Sequence, residues 1–136
     1  MQKFIIGIDN FGVGKVTCKI DKNSLIISDL TITGDQDTYD KLSSGEESNW
    51  NWTLYPPELY LRGISYQLQD EKIHIEISRD TPLDEVEVAL YLMEHNYLEG
   101  KFMIDENRTL SFDGIADIFG EEMKVQLRVN LDIEFY

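Results

Sequence analysis

Twelve positions from Lys124 to Phe135 alternate without a fault. Val125, Leu127, Val129, Leu131, Ile133 and Phe135 are apolar, and Lys124, Gln126, Arg128, Asn130, Asp132 and Glu134 are polar. A β-strand turns successive side chains to opposite faces, so the pattern predicts one dry face and one wet face. At roughly 3.3 Å per residue such a strand runs about 40 Å, longer than most. It must therefore curl with its sheet or cross from one sheet into another.

Shorter runs of the same kind precede it. Lys3 to Ile8 reads as a first strand, followed by a turn over Asp9 to Gly14, where two glycines offer positive φ. Lys15–Ile20 and Ser24–Ile32 make a hairpin across Asp21-Lys22-Asn23, and Leu59–Leu68 pairs with Lys72–Ser78 across Gln69-Asp70-Glu71. In the last of these Ile73, Ile75 and Ile77 should face inward, with His74, Glu76 and Ser78 outward. Tyr97–Ile104 and Thr109–Ile118 form another hairpin, and residues 119–122 turn the chain into the final strand.

Two stretches break the rhythm. Residues 33–49 hold Asp35, Asp37, Asp40, Glu46 and Glu47 among glycines and serines and leave little to bury, which predicts a long acidic loop. After it, Trp50, Trp52 and Leu54 are spaced by two ahead of Pro56-Pro57, as in a short strand ended by prolines. Thr81-Pro82-Leu83-Asp84 has the cap, proline and acid of a helix start, and Leu83, Val86, Leu90 and Met93 have helical spacing. Val86, Val88, Leu90 and Leu92 also alternate, and the β-branched residues favour a strand over 86–93, with a helix near 82–95 as the alternative. The expected fold is mainly β and a single domain. It is an antiparallel sandwich, or a curved sheet or partly closed barrel, built from hairpins.

Charge changes what such a domain can bind. Twenty-six acids against twelve bases give a net charge of −14, and residues 58–136 hold eighteen of those acids. Phosphates demand Lys and Arg, so nucleic acid is disfavoured, as is an anionic membrane, and a basic protein partner is favoured. The one cysteine, Cys18, excludes an internal disulfide and a multi-thiolate zinc site. The apolar run Phe4–Ile8 is too short for a signal peptide, and no run approaches a membrane span, so a cytoplasmic setting is expected. The triplets at Asn51 and Asn107 match the glycosylation pattern by chance on that view.

Catalytic and cofactor patterns are missing. Gly12-Val13-Gly14-Lys15 fails as a phosphate loop, because Asp9 stands where the first glycine is needed and Val16 where a hydroxyl is needed. The acids of Asp35 to Asp40 lack the glycine and glutamate register of a calcium loop. His74 and His95 have no ligand at zinc spacing, and no Gly-x-Ser-x-Gly elbow occurs. The expectation is no cofactor, no metal and no enzyme.

An aromatic cluster is the more informative constellation. Trp50, Trp52, Tyr55 and Tyr60 bracket the prolines directly after the acidic segment, and Trp and Tyr are enriched at binding hot spots. At least one tryptophan is expected in the core. In size, acidic balance and lack of catalytic pattern the chain resembles the small immunity proteins that bacteria make against their own toxins. That resemblance implies an inhibitor of a basic toxin, its acids standing in for phosphates. The partner-binding candidates are Asp35, Asp37, Asp40, Glu46, Glu47, Trp50, Trp52 and Tyr55, with a second acidic group at Asp84, Glu85 and Glu87. A small-ligand carrier and a structural subunit are the rival readings.

Overall fold

The alternating C-terminal stretch does cross between sheets. In the computed structural model, which describes residues 2–50, 53–78, 87–92, 95–118 and 120–136, with 87–89 and 95 by backbone alone, it forms two strands. In chain order the elements are β1 (Lys3–Ile6), β2 (Asp9–Asn10), β3 (Val16–Asp21), β4 (Ile26–Thr33), α1 (Gln36–Ser43), β5 (Glu58–Arg62), β6 (Ile64–Ser65) and β7 (Gln67–Gln69). They continue with β8 (Lys72–Ile77), β9 (Glu87–Tyr91), β10 (His95–Asn96), β11 (Leu98–Ile104), β12 (Thr109–Ile118), β13 (Glu121–Asn130) and β14 (Ile133–Phe135). One sheet has the order β2-β1-β13-β12-β11-β8-β7; the other runs β10-β9-β5-β4-β3-β14, with β6 also on β4. Neither closes into a barrel.

Between β13 and β14 the chain leaves the first sheet and joins the second, where Ile133 lies beside Cys18 in the only parallel pairing among the described strands. The side-chain alternation survives the crossing as far as Ile133, because both faces involved look into the same interior, but Phe135, expected on the dry face, is exposed at the end of β14. Val125, Leu127 and Val129 from β13 are buried there with Leu131 and Ile133. They join one apolar cluster with Phe4, Phe102 and Phe112 of the first sheet and Ile20, Leu30, Ile32, Leu59 and Leu61 of the second. Two layers thus share a core.

Phe102 and Phe112 stack at 4.0 Å between ring centroids on neighbouring strands. Phe112 also covers the cross-strand pair Gly100–Gly114. A Cβ at Gly114 would meet the Glu99 carbonyl oxygen and the Phe112 ring, its Cε2 at 2.9 Å, so no side chain fits. Close backbone approach under an aromatic ring is what glycine supplies in a strand interior.

Several boundaries differ from expectation. The first turn is at Gly7–Ile8, because Gly7 takes φ +63° and β2 folds back on β1. The Asn10 side chain then accepts from the Phe4 and Gly12 amides, holding the return. The run Leu59–Leu68 is not one strand: Gly63 at φ +70° interrupts it, and β5 stays in the second sheet while β7 pairs β8 in the first. The β7–β8 turn, Asp70-Glu71, has two positive φ values, +53° and +65°, as in a type I′ hairpin. Ile73, Ile75 and Ile77 face the core as expected. For residues 86–93 the strand reading holds over Glu87–Tyr91, which pairs β5; the proposed helix start at 81–86 lies outside the described residues.

Candidate functional site

The largest correction falls on residues 33–49, which hold a helix. Asp35, in an extended conformation, accepts hydrogen bonds from the Thr38 amide at 3.1 Å and the Thr38 hydroxyl at 2.8 Å, capping α1. Asp37 lies in the first turn and Lys41 in the last, each matched to the helix dipole. Tyr39 is buried and Leu42 packs partly against the core, so the helix rests on that side. A glycine- and serine-rich composition concealed an ordinary cap followed by apolar residues at i and i+3.

Beyond the helix the chain folds back onto it. The Tyr39 hydroxyl is hydrogen-bonded to both the carbonyl and the hydroxyl of Thr53, and both residues are buried. The Thr53 hydroxyl also reaches the Trp50 carbonyl at 2.9 Å, and the Ser48 hydroxyl receives the Trp50 amide at 3.0 Å. Trp50 therefore lies in a turn and Leu54 in a bend, and neither they nor Thr53 form the expected strand. Trp50 itself is 2% exposed, as expected of at least one tryptophan. Its ring meets Phe11 edge-on at 5.0 Å, and its Nε1 donates to the Asp9 carboxylate at 2.7 Å. Those two contacts dock Trp50, and with it the described residues of the lobe, against the edge strand β2 and Phe11 just after it.

What this lobe shows to solvent is acidic and aromatic. Asp37, Asp40, Glu46 and Glu47 are exposed, and the Asp40 carboxylate accepts from Gln36 at 2.9 Å. Tyr55 is 67% exposed and Leu54 68%. Asp35 is different, since its carboxylate serves the helix cap. Trp50 anchors the lobe rather than its outer surface. Trp52, Asp84 and Glu85 lie outside the described residues, and Glu87 is placed only by its backbone, opposite Arg62 on β5.

Beside the lobe is a cleft that sequence reasoning did not find. About 360 Å³ in volume, it lies where Trp50 meets the β1–β2 turn and the start of β13, and is lined by Ile6, Ile8, Asp9, Trp50, Glu122 and Met123 among others. Ile8, at the turn tip, is 96% exposed. The pieces come from three distant parts of the chain, and no local pattern could have joined them. No protein-family model matches this chain, and no characterised protein or solved structure matches it. Function must be argued from the site alone.

Elsewhere, Cys18 is buried and its thiol is pushed up to about 12, first by burial and then by the negative charge of Asp29. That is inert core behaviour. Among the described residues no group of three or more His, Cys, Asp or Glu could hold a metal, and no helix is long and apolar enough to cross a membrane.

Proposed function

We propose that the chain is a protein-binding module that neutralises a basic partner, of the kind a bacterial toxin presents, through the lobe of residues 35–55. One observation carries this reading: four exposed carboxylates, Asp37, Asp40, Glu46 and Glu47, share a pinned lobe with the exposed side chains of Leu54 and Tyr55. Carboxylates on an exposed rim steer a cationic protein, and an apolar or aromatic anchor then holds it after water is expelled. Tyr39–Thr53 and Trp50–Asp9 fix the lobe before binding, which reduces the ordering cost of association.

The test compares the wild-type chain with two variants as bait for a basic partner at low and at physiological salt. One neutralises the four carboxylates (Asp37→Asn, Asp40→Asn, Glu46→Gln, Glu47→Gln), and the other is Tyr55→Ala. Binding should weaken with salt and with neutralisation through slower association, whereas Tyr55→Ala should speed dissociation. A partner held equally well by all three proteins would overturn the assignment of the lobe. Absence of any basic partner at low salt would overturn the function.

A further inference from the structure

The cleft beside Trp50 has a chemistry of its own. Its walls are apolar at Ile6, Ile8, Met123 and the Trp50 ring, and two carboxylates, Asp9 and Glu122, line it with one cation, Lys124. Gly7 forms part of its rim at φ +63°, a conformation in which a side chain would be strained. At about 360 Å³ the cleft lies at the small end of ligand sites, suited to one long side chain rather than a drug-sized molecule.

We infer that this cleft receives an arginine side chain of the protein partner, its alkyl stem along Ile8 and Met123 and its guanidinium on Asp9. This rests on the proposal that the partner is a basic protein. Two carboxylates against one ammonium oppose an anionic occupant, and a purely apolar one would cover Asp9 without offering it a donor. Asp9 accepts the Trp50 indole through one oxygen, and a carboxylate can accept several further hydrogen bonds. The same contact holds the carboxylate in place, so a planar fork of donors meets a fixed acceptor beside an aromatic ring, the setting in which arginine outperforms lysine.

The test uses isotope-labelled protein carrying Trp52→Phe, so that the single indole signal belongs to Trp50. N-acetyl-arginine-N-methylamide is titrated to tens of millimolar, with the norleucine equivalent as the uncharged control and a hexa-arginine peptide as a second probe. The arginine compound should shift the Trp50 indole and the Gly7 amide saturably, and the norleucine compound should not. Asp9→Asn preserves an acceptor for the indole but removes the charge, and should weaken the arginine compound about tenfold. Equal shifts with norleucine, or an Asp9→Asn variant that binds arginine as well as wild type, would overturn the cleft assignment. If hexa-arginine binds in a salt-sensitive manner while Trp50 and Gly7 stay unmoved, the cleft reading fails and the lobe reading stands. If hexa-arginine does not bind at low salt, both fail.

Discussion

Removing the Tyr39 hydroxyl tests whether the lobe is pinned from within. Tyr39 and Thr53 are 3% and 6% exposed, so neither can replace a lost partner with bulk water. In Tyr39→Phe the ring keeps its packing and the Thr53 carbonyl loses its side-chain donor, while the Thr53 hydroxyl retains the Trp50 carbonyl. An orphaned buried acceptor costs about 1–3 kcal/mol. With a urea dependence of about 2 kcal/mol per molar, the unfolding midpoint should fall by about 0.5–1.5 M. Thr53→Val removes the hydroxyl and leaves the carbonyl, so a double-mutant cycle reads the hydroxyl–hydroxyl contact alone, and its coupling should be smaller than the loss in Tyr39→Phe. Amide exchange across α1 should quicken in Tyr39→Phe more than exchange in β12, because the damage is local. A midpoint shift below about 0.2 M together with unchanged α1 exchange would refute the claim that this contact fixes the lobe.

Other perturbations probe the frame that carries the lobe. Gly114→Ala should destabilise the protein by about 3 kcal/mol in urea unfolding, since the new methyl meets the Glu99 carbonyl and the Phe112 ring, whereas Gly45→Ala, with nothing within 4 Å, should change stability little. Glu71→Gly should raise stability by about 0.5–1 kcal/mol, because position 71 holds φ +65° and glycine takes that conformation without strain. Cys18 gives a pH signature: below its ordinary value of 9.0 the thiol is protonated in both states. Between there and about 12 only the unfolded chain ionises, so stability falls with rising pH by about 1.4 kcal/mol per unit. Burial and the charge of Asp21 raise Tyr66 in the same sense, so Cys18→Ala should flatten the profile most just above pH 9, as read from urea midpoints between about pH 8 and pH 10.

The strands were legible where one face is dry and the other wet. β8, β12 and β13 follow their alternation almost residue for residue, because period-two burial leaves a direct trace in composition. Two kinds of feature were not legible. One is a break inside a run that reads as one strand: Gly63, at positive φ, ends β5, β6 stays on β4 in the second sheet, and the chain passes to the first sheet only between Ser65 and Gln67. The other is a short helix whose stability comes from docking. Asp35 and the Tyr39–Leu42 spacing were present in the sequence, but eight residues seldom hold a helix alone, and here the burial of Tyr39 supplies what propensity does not. The sequence shows the acids of the lobe but not that Asp35 among them caps α1. The pairing of Asp9 with Trp50 left no local trace.

The passage of the chain from β13 to β14 makes the two layers one mechanical object. β13 is bonded on both sides, to β1 and β12, while β14 is zipped to β3, so a pull on either layer is carried into the other through the two residues Leu131 and Asp132. Leu131 is further tethered by its amide to the Arg108 carbonyl at 2.9 Å. With this link added to the core that both layers share, the layers should melt together. Calorimetric and van't Hoff enthalpies should coincide, and a proline at Leu131 should lower the melting of β3 as much as that of β12.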